Sequence, residues 1–276
     1  MTEEKRTEEE RRQILPLINK KEFDYFDAVK IVEILRGENG CPWDREQTHQ
    51  SIRANAVEEA YELVDAINRE NKEDIIEEMG DMLLQFLLHA QIAQDNAEFT
   101  YGNVYNRLCN KLISRHTHVF GGDIAQNAQK ALSTWENNKL KAHNYASKTE
   151  YLKQVPFTSP SLLRAQKVQS RAAKSGMDFA DAASALKKAQ EELAEVQQAA
   201  AGGVYKDVEE EIGDLLFACV NAARFLSVDA ETALSKATQK FISRFEKVEN
   251  ALKAQDLSFK DASPQKLDML WEEAKK

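Results

Sequence analysis

The chain has few of the residues that interrupt helices or cross-link a scaffold. It has five prolines and ten glycines in 276 residues, and no long stretch alternates Val or Ile with polar residues. The three cysteines, Cys41, Cys109 and Cys219, are odd in number and lack CxxC spacing. That argues against a disulfide framework and against a zinc site. Cys219 lies in an apolar run and reads as a small core residue, and a reduced, cytoplasmic setting fits best. No apolar run of about 18 residues exists, so no membrane span is expected. The opening MTEEKRTEEERRQ has no apolar centre, which predicts no secretory signal, only a frayed, charged lead-in over residues 1–21. Acids outnumber bases, with 46 Asp and Glu against 37 Lys and Arg. The net charge of -9 argues against a general nucleic-acid binder, because a phosphate backbone would be repelled except at local basic patches.

What is abundant is Ala, Glu, Lys, Leu and Gln, an all-α composition. Helices are expected near 22–36, 49–70, 72–96, 101–116 and 124–142, and again near 160–174, 179–201, 204–227, 229–253 and 264–276. Thr100, Asp178 and Asp229 stand where N-caps belong. Gly202-Gly203 and the stretch Asn68 to Lys72 separate neighbouring helices. Pro156 and Pro160, with several Ser and Thr, mark a linker over 143–163 between an N-terminal module, 22–142, and a C-terminal module, 164–276. A second distinct loop, Gly37 to Asp44, carries Gly, Pro and a Trp.

One acidic pattern occurs twice. Glu58-Glu59-x-x-Glu62 is followed by Glu78-x-x-Asp81, and Glu191-Glu192-x-x-Glu195 by Glu211-x-x-Asp214. The copies are 133 residues apart (191 − 58), and the gap between clusters is 16 in each (78 − 62 and 211 − 195). Within each first cluster the acids share a helix face at i, i+3 and i+4, where like charges destabilise an isolated helix. The second-cluster helix, Ile75 to Leu88, is apolar almost all round and is expected to be buried, with Glu78, Asp81 and Gln85 as one polar stripe. Buried carboxylates without partners cost several kcal/mol, so a metal ion or another cation is needed. Gly80 and Gly213, between the acids, are expected to permit close approach of another helix or a ligand.

An all-oxygen ligand set suits Mg²⁺, with Mn²⁺ as the substitute. A di-iron bundle would need ExxH twice, and only Glu46-x-x-His49 matches. His116 and His118 beside Arg115 could touch an anion or be polar helix-end residues. Each half continues with a Lys/Arg pair and then a Trp/Lys pair, Lys111/Arg115 with Trp135/Lys139 and Lys240/Arg244 with Trp271/Lys275. Arg grips phosphate through two hydrogen bonds and Lys acts as a point charge. The two Trp residues could stack on a base or pack as core.

These residues resemble the MazG family of nucleoside triphosphate pyrophosphohydrolases. GENGCPWDREQT at 37–48, VEEAYELVDAI at 57–67, EEMGDMLLQ at 77–85, RHTHVF at 115–120 and EEIGDLLF at 210–217 carry the resemblance, which runs from about residue 22 to 276. It implies two tandem four-helix-bundle modules of the all-α NTP pyrophosphatase type, acting as a homodimer. It also implies Mg²⁺-dependent conversion of an NTP to an NMP and pyrophosphate, with broad base choice and a house-cleaning role. The metal ligands carry over onto Glu192, Glu195, Glu211 and Asp214, and onto Glu59, Glu62, Glu78 and Asp81. The nucleotide contacts carry over onto Lys240, Arg244, Trp271 and Lys275, and the C-terminal module is the expected main catalytic one. A metal-bound water would attack the α-phosphorus, with Glu191 or Glu192 taking its proton. The alternatives are a narrower dCTP- or dUTP-directed enzyme and a helical module that binds a nucleotide or partner without turnover.

Overall fold

The computed structural model describes residues 8–142 and 145–276, with side chains from residue 12 onward. Every regular element among them is a helix. The chain divides into two compact units at residues 143 and 144.

Unit 1 is organised on a helix hairpin. Helix α4 (Asn55–Asn68) and helix α5 (Lys72–Asp95) are joined by three residues. Asn71 caps α5 by accepting the Glu73 N–H, and Glu70 takes a left-handed φ of 56° to make the reversal. At 24 residues against 14, α5 outruns its partner by about 15 Å. The far end of α5 is where the core forms. Val32 of α2 (Tyr25–Arg36), Ile52, and Leu87, Leu88 and Ile92 of α5 are buried together, with Tyr25 and Tyr101 against them. Helices α6 (Tyr101–Arg115), α7 (Thr117–Phe120) and α8 (Ala128–Ala142) complete the unit. Thr100 starts α6, and its N–H is taken by Asn103 Oδ1 at 2.9 Å.

The Gly37–Asp44 loop is a fixed structure that ends in a short helix, α3 (Pro42–Glu46), with Pro at its first turn. Gly40 is obligatory, because a Cβ there would lie 2.2 Å from the Leu35 carbonyl oxygen. Arg36, nearly buried, holds the loop through the Asp44 and Gln47 carbonyls and pairs with Asp95 at 2.8 Å. Within the expected lead-in, helix α1 (Glu8–Ile18) forms, and residues 1–7 lie outside the described part.

Unit 2 repeats the hairpin with α11 (Ala182–Gly202) and α12 (Tyr205–Phe225). Gly203, at φ 72°, ends α11 in the left-handed conformation that glycine adopts without strain. Helix α10 (Ser161–Lys174) packs on α12. Helices α13 (Ala230–Lys253) and α14 (Pro264–Ala274) enclose a core of Val248, Leu252, Leu270 and Ala274. The stretch read as linker contains helix α9 (Lys148–Lys153), capped by Ser147 and packed on α10.

Two expectations need correction. Asp178 is not an N-cap, since Asp181 caps α11 by accepting the Ser184 N–H while Asp178 pairs with Arg224. Cys219 is exposed, because the face of α12 that carries it has no partner element within the unit.

Asp229 does cap α13, and the Thr232 N–H bonded to it at 2.7 Å holds its carboxyl below the usual range. Asp229→Ala is therefore expected to cost about 1 kcal/mol at pH 7 in chemical denaturation. A depressed folded pKa gives stability that is complete above the ordinary aspartate value of about 3.9 and lost as pH falls below it, so the mutant's deficit should vanish there.

Candidate functional site

Both hairpins bring acids of their two helices together. In unit 1, oxygens of Glu59 (α4), Glu78 and Asp81 (α5) lie within 4.8 Å of one another, all three side chains half-buried. In unit 2 the group is Glu192 and Glu195 (α11) with Glu211 (α12), again within 4.8 Å. A reversal of three residues in unit 1 and two in unit 2 sets the antiparallel register, which places the middle of the first helix beside the first half of the second. Glu62 and Asp214 stand on the same helices outside these tight groups. Glu62 nonetheless acts on both Glu59 and Glu78 through its charge.

The electrostatics of the clusters differ. Burial raises the pKa of Glu59, reinforced by the charges of Asp81, Glu62 and Glu58, and only a 3.4 Å hydrogen bond from Gln85 opposes it. Burial likewise raises Glu78, with Glu62 and Asp81 adding to it. Glu78 Oε2 is buried and has no hydrogen-bond partner. In unit 2, Lys188 bonds Glu192 at 2.5 Å and holds its carboxyl below the usual range. Glu195 is pushed up by its hydrogen bond with Glu192 and by that group's charge. Lys188 was not foreseen as a site residue, although its i, i+4 spacing to Glu192 was the available signal.

The cationic residues are arranged separately. Among the described residues none of these acids is ion-paired to Lys111, Arg115, Lys240 or Arg244. Arg115 and Lys139 both lie over the Trp135 ring, each 5.4 Å from its centre. Trp271 packs 5.1 Å from the Phe241 ring and borders the unit 2 core, and Lys275 pairs with Glu272. Lys240 is exposed and Arg244 half-buried on α13. His116 bonds the Leu112 carbonyl at 2.7 Å, and one ring nitrogen of His118, Nδ1, is buried without a partner. His49 stacks on His89 with Nδ1 atoms 2.8 Å apart, and neither belongs to an acid group.

The expectation that the acid-bearing helices are buried all round is not met within either unit. Ile76 and Met79 of α5 are 65% and 59% exposed, and Ile212 and Leu216 of α12 are 44% and 52% exposed. The reason is that each unit supplies only one hairpin, and its other helices cover the end remote from the acids. No other helix lies within 4 Å of where a Cβ would stand at Gly80 or Gly213, so within each unit the space beside these glycines is open.

The family model described as the MazG nucleotide pyrophosphohydrolase domain matches residues 47–120 and 180–249, the segments that contain the two acid groups. The chain belongs to the MazG family. It is 40% identical over 249 residues to a Thermotoga maritima protein named nucleoside triphosphate pyrophosphohydrolase/pyrophosphatase MazG, covering 90% of this chain and 94% of that one. The Escherichia coli K12 nucleoside triphosphate pyrophosphohydrolase is 39% identical over 241 residues, covering 87% of this chain and 92% of its own. Bacillus subtilis YabN is 41% identical over 255 residues, which is 52% of its length. Both MazG segments here retain the full ExxE and ExxD sets.

The donor set fits a hard divalent cation. It is all oxygen, drawn from two helices, and includes a buried orphan oxygen on Glu78. A carboxylate whose folded pKa is raised makes the fold bind more protons than the unfolded chain, so this group opposes folding at neutral pH and ceases to as pH falls. Glu78→Gln should therefore raise the melting temperature in EDTA at pH 7. The same substitution should shrink the rise that Mg²⁺ gives the parent protein, both read by scanning calorimetry.

Proposed function

We propose that this chain hydrolyses nucleoside triphosphates to the monophosphate and pyrophosphate, with Mg²⁺ as cofactor and Mn²⁺ as a substitute. The observation that carries the reading is the convergence of three carboxylates from two helices, within 4.8 Å, inside both MazG-matched segments. Glu192, Glu195, Glu211 and Asp214 would hold the ion in unit 2, and Glu59, Glu62, Glu78 and Asp81 in unit 1. When bound, the ion supplies neutralisation of phosphate charge and polarisation of a water.

The remaining work falls to side chains. A water adds to the α-phosphorus, the bond from that phosphorus to the bridging oxygen breaks, and pyrophosphate departs. Glu191 or Glu192 takes the proton of the water. Lys240, Arg244 and Lys275 offset the charge that develops on the leaving pyrophosphate, and Trp271 positions the nucleotide. Unit 2 is the main hydrolytic site in this proposal. In its support, Arg115 and Lys139 of unit 1 are stacked on Trp135, so recruiting Lys111, Arg115, Trp135 and Lys139 to a phosphate would first break those contacts. Broad base choice and a cytoplasmic, house-cleaning role are part of the same proposal; the relatives' names specify a nucleoside triphosphate and no particular base. No helix of the described residues is long and apolar enough to cross a membrane.

Activity should appear as Mg²⁺-dependent pyrophosphate release from a panel of nucleotides. Asp214→Asn and Glu211→Ala should each lower the rate by roughly 100-fold or more, whereas Glu78→Ala should leave most of it. Release of orthophosphate with an NDP, or full activity in EDTA, would sink the proposal.

A second copy of the chain is proposed to cover the open hairpin faces. Leu186 and Leu193 of α11 are 46% and 48% exposed, and Ile212 and Leu216 of α12 are exposed as well; exposed apolar faces of this kind mark interfaces. Light scattering should give twice 31.3 kDa, and Leu193→Glu with Leu216→Glu should give one chain. A parent protein with the mass of one chain would refute the dimer.

A further inference from the structure

Unit 1 has a feature that neither the acids nor the cationic residues use. His49 lies between α3 and α4, and His89 lies on α5, eight residues beyond Asp81. Both side chains are half-buried, and their Nδ1 atoms are 2.8 Å apart. That spacing is a hydrogen bond. Two nitrogen ligands of a tetrahedral metal ion would stand about 3.4 Å apart. A neutral imidazole has one N–H and one acceptor nitrogen, so of the two facing Nδ1 atoms one carries a proton and the other does not. Unit 2 has no counterpart. At the repeat distance of 133 residues (182 − 49 and 222 − 89), Ala182 and Ala222 stand in these places.

The pair fastens the entry to α4. Arg36 holds the Gln47 carbonyl just before it, and Ile52 is buried in the core just after it. The turn between these points is closed on itself, with the Thr48 N–H donating to Ser51 Oγ at 2.9 Å and the Ser51 N–H to Thr48 Oγ1 at 3.2 Å. Among the described residues, the only side-chain hydrogen bond from residues 47–54 to α5 is the one between the two rings. Helix α4 begins six residues after His49 and carries Glu58 and Glu59 near its start. Whatever parts the rings therefore loosens the end of α4 that brings Glu59 to Glu78 and Asp81.

The two rings accept protons unequally. The first proton goes to a ring nitrogen that faces away from the pair, and His49 Nε2, 3.6 Å from Glu98 Oε2, favours the cation there. The bond between the Nδ1 atoms survives that step. The second proton would put hydrogen on both Nδ1 atoms and positive charge on both rings at 2.8 Å. Burial holds the pKa of His89 down, and the charge of His49 adds to it. Glu98 faces His49 rather than His89, the neighbouring Phe99 ring is uncharged, and Asp95 farther along α5 is paired with Arg36. We propose that His49 and His89 form an acid-sensitive latch, which holds the start of α4 against α5 and opens when the pair takes its second proton, so that unit 1 alone responds to acid. A His held below its ordinary value of about 6.5 leaves the fold with fewer protons than the unfolded chain, so stability is undiminished above about pH 6.5 and falls progressively below it. The acids act with the opposite sign. Glu59 and Glu78, whose pKa values are raised, bind protons more readily in the fold and tighten unit 1 as pH falls.

The test uses the full chain and amide hydrogen exchange read by mass spectrometry at about pH 7.5 and about pH 5, corrected for the pH dependence of exchange itself. In the parent protein, peptides covering residues 48–58 should exchange roughly tenfold faster at the lower pH, with residues 182–225 of unit 2 as the internal reference. His49→Gln and His89→Gln each keep a neutral hydrogen-bonding group in place of one ring. Neither variant can hold a second proton, so the acid-dependent rise should shrink to less than about twofold in both. Either variant alone decides, should the other fail to fold. A parent whose exchange over residues 48–58 does not rise with acid, or rises no more than that of the unit 2 hairpin, overturns the proposal. So does a full-sized rise in either folded variant, because each has only one of the two rings.

Discussion

Repulsion among carboxylates held across a helix hairpin is the constraint on which the rest of this molecule depends. Three oxygens from two helices within 4.8 Å would drive the helices apart if nothing else joined them. What joins them lies elsewhere along the same helices. In unit 1 the far half of α5 is fastened by the Val32, Ile52, Leu87, Leu88 and Ile92 core, and its near end by Asn71 in the reversal. The acids are thus fixed by structure that does not touch them, as a pre-organised cation site requires.

The duplication preserves residue types without preserving their surroundings. Glu59 and Glu78 feel burial and like charges with only Gln85 to relieve them. Glu192 has a lysine on its own helix, one turn back. The cationic segments diverge further. Helix α6 stops at Arg115, which lies over Trp135, whereas α13 carries Lys240 and Arg244 in its middle and runs on to Lys253. Equal motifs therefore sit in unequal fields, and this physical difference is what allows two copies to have different roles.

Hydrophobic side chains are also distributed unusually. Both hairpins leave apolar rows in the open, and unit 2 buries amides behind exposed Met177 and Phe217. Neither arrangement is favourable for an isolated chain in water. The hairpin faces become reasonable when a second copy covers them.

Local patterns determined much of this protein before any tertiary contact was considered. Composition and spacing were enough for the all-α class, for most helix positions, for the caps at Thr100 and Asp229, and for two acid clusters on paired helices. These depend on neighbours within a turn or two of the chain. Contacts distant in sequence decided the remainder. Only the antiparallel register selects Glu59, Glu78 and Asp81, or Glu192, Glu195 and Glu211, as the acids that meet. Only the placement of the core at one end of α5 leaves Ile76 and Met79 uncovered, where an apolar pattern by itself had implied burial. The meeting of His49 with His89 depends on separate elements packing side by side, and a helical period cannot report what lies opposite a helix, only which face will seek a partner.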